Sequence, residues 1–217
     1  MNETIEKVIE ALEKNNMKGI YAENCEQARK IVEEMLFEGC TISSGGSVSL
    51  IESGVWELMN RPCYRFADRN RAGITPQEKQ EVFRSIIGCD FYFSSSNAVT
   101  ENGELLNVDG IANRISAIAF GPERVIMIVG KNKIVPDLNA AFLRVKQTAA
   151  PKNCVRLGLD TPCSKLGHCV SLERSTTPDF ADGCLSEKRI CADYLISARQ
   201  RAKDRITVIL VNEELGY

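Results

Sequence analysis

Four of the nine cysteines lie close together near the C-terminal end of the chain. They fall within 29 residues and are Cys163, Cys169, Cys184 and Cys191. Four thiolates are the soft, anionic ligands that a zinc site or an iron-sulfur cluster requires. Their spacing matches neither a zinc ribbon nor a bacterial ferredoxin motif, which leaves two hypotheses. Either they hold a metal centre, with a [4Fe–4S] cluster favoured over zinc, or they are four free, partly buried thiols.

The other cysteines are scattered among apolar segments, where a free thiol usually packs as a small hydrophobic side chain. They are Cys25, Cys40, Cys63, Cys89 and Cys154. An odd total without an export signal argues against a disulfide framework. The single histidine, His168, lies beside Cys169 and is a candidate substitute ligand. One imidazole alone excludes catalytic schemes that need two.

A second candidate site is the glycine-serine segment at residues 43–47, between a predicted strand and a predicted helix. Glycines allow the backbone to turn sharply and approach a ligand, and backbone amides at a helix N-terminus bind anions. The segment is neither a Walker motif nor a dinucleotide motif, so a plain turn with a serine cap is the alternative. The candidate ligand-binding residues are Ser44, Gly45, Gly46 and Ser47.

A third candidate is the polar, turn-rich stretch from Asn97 to Arg114. Glu101 precedes Asn102-Gly103, and a carboxylate there is a candidate base or nucleophile toward an activated acyl group. Asn-Gly is also a strong turn signal, which favours a solvated hairpin. Asp109 and Arg114 form either part of a ligand site or a local ion pair. The candidate ligand-binding residues are Asn97, Asn102, Asn107, Asp109, Asn113 and Arg114.

Hydrophobic patterns predict the elements that position these residues. An amphipathic helix capped by Asn2 opens the chain, and Thr75-Pro76-Gln77-Glu78 is a capping box that opens another helix. The apolar runs at 125–129 and 206–211 are typical of buried parallel strands. Strands alternate with helices, which predicts an α/β fold with a mostly parallel sheet covered by helices on both faces.

The pattern predicts one domain over residues 1–217. Between residues 150 and 188 the hydrophobic periodicity disappears while cysteine, proline, glycine and aspartate accumulate. This segment is interpreted as an irregular, cysteine-rich excursion within the domain. A helix at 187–201 and the last buried strand are expected to follow it.

Composition narrows the classes of partner. Lys and Arg total 27 against 29 Asp and Glu, and the pI is near 5.7, which disfavours nucleic acid and anionic membranes as partners. No run approaches the roughly 20 apolar residues of a membrane span, and the N-terminal segment is acidic and amphipathic rather than basic and then apolar. The sequence therefore predicts a cytoplasmic protein, and a homo-oligomer is compatible with it.

Four ordered segments carry a resemblance to a known family. They are TISSGGSVSL at 41–50, SNAVTENGEL at 96–105, NVDGIANR at 107–114 and VGKNKIV at 129–135. Together they resemble the LUD family, the lactate-utilisation domain proteins. The resemblance implies a fold like that of the sugar-phosphate isomerase and CoA-transferase superfamily, whose glycine-serine turn binds phosphate or CoA. It also implies a part in lactate oxidation beside separate iron-sulfur oxidoreductase subunits.

Two further features follow from the resemblance. Glu101-Asn102-Gly103 is similar to the motif that holds the nucleophilic glutamate of class I CoA transferases. The C-terminal segment resembles a subset of members with a cysteine cluster, although residues 171–183 are inserted before Cys184.

Three functions are therefore open. The protein binds a small anionic metabolite and carries an iron-sulfur cluster, as an oxidoreductase component of lactate oxidation. Alternatively it is an acyl-CoA transferase or hydrolase with Glu101 as nucleophile, or a nonenzymatic metabolite-binding or assembly subunit.

Overall fold

A six-stranded parallel sheet forms the centre of the computed structural model, which describes residues 2–217. Its strands are β1 (Lys18–Ala22), β2 (Thr41–Ser44), β3 (Arg65–Ala67), β4 (Phe91–Ser94), β7 (Arg124–Gly130) and β10 (Ile206–Val211). They lie in the order β1-β10-β7-β4-β2-β3, and every neighbouring pair is parallel. The carboxyl ends of all six strands therefore meet along one edge of the sheet.

A smaller sheet lies beside that edge. Its strands are β5 (Ala98–Thr100), β6 (Leu105–Asp109), β8 (Ile134–Val135) and β9 (Asp193–Ser197). The order is β8-β5-β6-β9, with β6 antiparallel to both β5 and β9 and with β8 parallel to β5.

Residues 2–217 also form ten α-helices. They are α1 (Glu3–Lys14), α2 (Cys25–Met35), α3 (Val48–Glu52), α4 (Val55–Met59), α5 (Pro76–Ser85), α6 (Asn113–Ala119), α7 (Leu138–Arg144), α8 (Ala150–Arg156), α9 (Pro162–Leu166) and α10 (Ser171–Arg174). A π-helical segment, Val145–Ala149, joins α7 to α8 in one continuous helical rod. No helix within residues 2–217 combines the length and the apolar character that crossing a bilayer requires.

Alternate side chains of β7 enter different hydrophobic clusters, because successive residues of a strand face opposite sides of a sheet. Met127 and Val129 pack with Val8 and Leu12 of α1. Ile126 and Ile128 pack in the cluster that contains Val32 of α2 and Leu58 of α4. Both faces of the central sheet are therefore covered, and the predicted fold class is confirmed.

The helix N-caps predicted from the sequence are present in the structure. The Asn2 side chain accepts a hydrogen bond from the Thr4 amide at 3.0 Å. Thr75 and Glu78 form the predicted reciprocal capping box. Each of these interactions joins residues two or three positions apart, so the sequence displays both partners together.

Two predictions for the C-terminal third are wrong. Residues 150–156 are helical, because the π-helical segment continues the rod into α8, with Pro151 just after the change in hydrogen-bond spacing. Residues 193–197 form a strand rather than part of a helix at 187–201, because they pair with β6, some 90 residues earlier. Such long-range pairing overrides a local pattern.

Candidate functional site

A cleft of about 600 Å³ opens at the carboxyl-end edge of the central sheet. The segments that follow β2, β3, β4, β7 and β10 all contribute to its lining. Open parallel sheets bind ligands at this edge, because the loops that leave the strands converge there.

The glycine-serine segment reaches this cleft. Gly46 and Ser47 line it, whereas Ser44 and Gly45 lie behind the lining. A Cβ on Gly45 would lie 2.7 Å from Cδ of Arg114, so only glycine allows this close packing. Ser47 makes no side-chain cap bond to the five-residue helix α3, and its buried Oγ has no hydrogen-bond partner. That hydroxyl is free to bind a ligand.

Arg114 joins the polar stretch to the glycine-serine turn. Its Nη1 donates to the Ser95 carbonyl oxygen at 3.1 Å and to Asn107 Oδ1 at 2.6 Å. Its Nη2 donates to Asn97 Oδ1 at 2.9 Å and to the Val108 carbonyl oxygen at 2.6 Å. Burial lowers the pKa of the guanidinium. The side chain is thus a fixed, partly buried positive charge that ties together the segments at the cleft edge.

Of the other predicted ligand-binding residues between Asn97 and Arg114, some line the cleft and others lie behind its lining. Asn97, Asp109 and Asn113 line the cleft, and Asn107 is fully buried behind it. The Asp109 carboxylate accepts the backbone amides of Arg114 at 2.8 Å and Ile115 at 3.2 Å. Asp109 therefore fixes the start of α6 through backbone amides. Of the two alternatives for Asp109 and Arg114, the local side-chain ion pair is not formed.

Glu101 and Asn102 lie in the turn between β5 and β6, not at the cleft. Glu101 Oε2 pairs with Lys7 Nζ at 2.5 Å, and the Asn102 carbonyl oxygen accepts a hydrogen bond from Asn15 Nδ2 at 2.9 Å. A strand of this length places Glu101 roughly 13 Å from Asn97. The predicted hairpin is present, and only its turn is solvated: Asn102 is exposed, whereas Val99 and Leu105 of the strands are fully buried.

Sequence reasoning missed a buried lysine that lines the cleft. Lys133 is 4% exposed, and its Nζ donates to Ser49 Oγ at 2.9 Å and to Ser95 Oγ at 3.1 Å. Burial, followed by the positive charges of Arg144 and Arg114, lowers its pKa to about 7. The segment at 129–135 contained this residue, but nothing in its spacing marked one of two nearby lysines as buried.

The cleft is cationic. Five basic side chains line it: Arg69, Lys79, Arg114, Lys133 and Arg156. Asp109 is the one carboxylate among the described lining residues, and its oxygens are occupied by backbone amides. An anion entering the cleft therefore meets excess positive charge in a partly desolvated setting.

All four clustered cysteines line a second, smaller cavity, of about 20 Å³. Cys184 reaches it despite the insertion at 171–183, in which Phe180 stacks against Phe142 with ring centroids 5.0 Å apart. A fifth thiol adjoins them, since Cys154 Sγ lies 3.7 Å from Cys163 Sγ. His168 instead faces Glu173 at 3.5 Å. Within residues 2–217, no three Cys, His, Asp or Glu side chains have an arrangement that could hold a metal ion.

Comparison with known proteins decides the family. The LUD domain model matches residues 5–211. The chain belongs to the LUD domain family. This LUD protein is also similar to a solved structure of a DUF162 family protein from Deinococcus radiodurans, with 11% sequence identity, 97% of each chain covered and a TM-score of 0.49. No curated protein matches it significantly.

The four segments that carried the sequence resemblance meet around the cleft of this LUD protein. The segment at 41–50 contributes Gly46, that at 96–105 contributes Asn97, that at 107–114 contributes Asp109 and that at 129–135 contributes Lys133. Segments far apart along the chain are thus brought to one concave surface.

Proposed function

We propose that this LUD protein binds a small anionic metabolite in the cationic cleft, as a component of hydroxy-acid utilisation. The observation that carries the proposal is Lys133, a buried amine at the cleft whose partners are two neutral serine hydroxyls rather than a carboxylate. Burying an uncompensated cation is unfavourable, and a bound anion removes that penalty. The lactate-utilisation role comes from the family resemblance.

An unsatisfied polar atom at the cleft supports the proposal. Ser47 lines the cleft, and its buried Oγ has no hydrogen-bond partner. A 2-hydroxy acid presents a carboxylate for the basic side chains and a hydroxyl for a free group such as Ser47 Oγ. Glu101 lies at the far end of its hairpin, so the geometry gives no support to acyl transfer through that carboxylate.

Arg69 provides a direct test of anion binding. It lines the cleft, and its Nη2 lies 3.0 Å from where a Cβ on Gly46 would be. We expect Arg69→Gln to weaken L-lactate binding by at least about tenfold in isothermal titration calorimetry, because one charge-assisted hydrogen bond contributes about 1.5–3 kcal/mol. Arg71→Gln is the matched control, since Arg71 pairs with Glu78 at 2.6 Å outside the cleft lining. Absence of L-lactate binding by the unsubstituted protein, or equal losses in both variants, would contradict the proposal.

A second candidate function is supported by the thiol cavity. We propose that Cys163, Cys169, Cys184 and Cys191 hold an iron-sulfur cluster, which supplies one-electron transfer when bound. The donor set fits by type, and its members converge from separate loops on one cavity. A cavity of about 20 Å³ has room for about one water molecule, so the loops that carry α9 and α10 must move outward to admit a cluster.

Cys184 tests the cluster proposal most sharply, because the insertion precedes it. We expect protein purified without oxygen to contain iron and sulfide in equal amounts, and Cys184→Ser to lose most of both. Cys63→Ser is the control, since Cys63 is exposed and lies outside the cavity lining. Iron, sulfide and zinc are measured by elemental and colorimetric assay. Zinc without iron, or iron retained fully by Cys184→Ser, overturns the electron-transfer role.

A further inference from the structure

We propose that Lys133 forms a Schiff base with a 2-oxo acid bound in the cleft. The inference rests on the proposed function, because it takes the cleft to be the site of a small carboxylate and names the reactive class. A 2-oxo acid is the two-electron oxidation product of a 2-hydroxy acid, and it has the same carboxylate for the cleft to bind.

The hydrogen-bond network leaves one position on the Lys133 nitrogen unused. Ser49 Oγ donates to the Leu215 carbonyl oxygen at 3.3 Å, and Ser95 Oγ donates to the Ser96 carbonyl oxygen at 3.4 Å. Both serine oxygens are therefore acceptors toward Lys133 Nζ. A neutral amine has two hydrogens, so both are bound and the lone pair is left over. Lys133 is one of the residues that line the cleft, and we assign this free position to a bound carbonyl group.

The charges around Lys133 favour the neutral, nucleophilic form. Burial is the main cause that lowers its pKa to about 7, and the cations Arg144 and Arg114 add to it. Glu52 acts in the opposite direction, but its carboxylate accepts the Gly216 amide at 2.6 Å. About half of the Lys133 side chains are consequently neutral near pH 7, whereas an exposed lysine is almost fully protonated.

The cleft also offers groups for the rest of the substrate. Arg69 and Lys79 line the same cavity as Lys133 and carry charge for a carboxylate. Unlike Lys133, Lys79 is exposed on α5. A 2-oxo acid held by its carboxylate therefore has one buried amine beside the cleft to react with.

The reaction balances without an oxidant or reductant. The nitrogen lone pair forms a bond to the keto carbon while the carbonyl π electrons move to oxygen. One N–H proton passes to that oxygen and gives a neutral carbinolamine. The hydroxyl group then takes a proton from solvent in the open cleft and leaves as water, and the nitrogen electrons form the protonated imine.

Reductive trapping tests the inference. The full-length protein is incubated with pyruvate and sodium borohydride, which delivers hydride to the imine carbon. We expect intact mass spectrometry to show one 1-carboxyethyl group per chain and peptide mapping to place it on Lys133. The initial trapping rate should level off above about pH 8, whereas the rate for an ordinary lysine continues to rise toward its pKa near 10.4.

Matched variants and a separate binding assay distinguish the outcomes. Lys133→Met should lose the adduct, and Lys131→Met, which changes an exposed lysine of the same turn, should retain it. If L-lactate binds but pyruvate is not trapped on Lys133, the Schiff-base inference is overturned and the proposed binding function stands. If neither L-lactate nor pyruvate binds in calorimetry, the proposed function itself fails. An adduct spread over exposed lysines also overturns the inference.

Discussion

Replacing Arg114 with methionine is expected to lower the free energy of unfolding by about 4 kcal/mol. The guanidinium donates to two backbone carbonyl oxygens and to two asparagine side chains. Methionine fills similar volume but removes all four donations. Asn97 Oδ1 and the Ser95 carbonyl oxygen keep bonds from the Val108 amide and Ser94 Oγ. The cost therefore falls mainly on the fully buried Asn107 and on the Val108 carbonyl oxygen, because each unpaired buried acceptor costs about 1–3 kcal/mol. The loss is therefore larger than that of any single contact.

Urea denaturation monitored by circular dichroism measures the effect. Arg84→Met is the control, because Arg84 is exposed on α5, and we expect it to change stability by less than about 0.5 kcal/mol. A loss below about 1 kcal/mol for Arg114→Met would show that the four hydrogen bonds do not hold the cleft together.

Lys133→Met is expected to have the opposite sign and to stabilise the protein by about 2 kcal/mol at pH 7. The pKa of Lys133 falls from 10.5 to about 7 on folding. That depression corresponds to roughly 5 kcal/mol of unfavourable free energy in the protonated form, and the loss of two serine hydrogen bonds offsets about half of the gain. A residue that binds ligand at the expense of stability is common at functional sites.

The pH dependence gives the same prediction a second readout. Between pH 7 and 10.5 the unfolded chain holds a proton on Lys133 that the folded protein lacks, so this group makes stability rise with pH in that interval. Below pH 7 both states are protonated, and the full penalty remains. The advantage of Lys133→Met should therefore shrink to near zero by about pH 9. Urea curves at pH 7 and 9, with Lys131→Met as control, measure it. An advantage that is equal at both pH values would contradict the depressed pKa.

Much of the fold could be predicted from the sequence, because many of its helices and strands are specified by interactions between nearby residues. The Asn2 cap, the capping box at Thr75 and the buried strand β7 are each defined by residues a few positions apart. Periodicity then predicts which faces are apolar, and strands alternating with helices imply a parallel sheet. Chains of this pattern bring the segments after their strands to one edge, which is why the glycine-serine turn and much of the polar stretch could be chosen as candidates.

Only the tertiary structure decided which candidates share a surface. Glu101 and Asn97 were candidates from the same polar stretch, but the short hairpin strand β5 separates them, and Glu101 pairs with Lys7 instead. The sequence does not distinguish Lys131 from Lys133, yet in the structure Lys133 is buried and Lys131 is exposed. Strand β9 depends on a partner far along the chain. Neighbours that are distant in sequence determine which side chains are buried, which strands pair and what pKa a buried amine has. A local sequence pattern therefore cannot predict these properties.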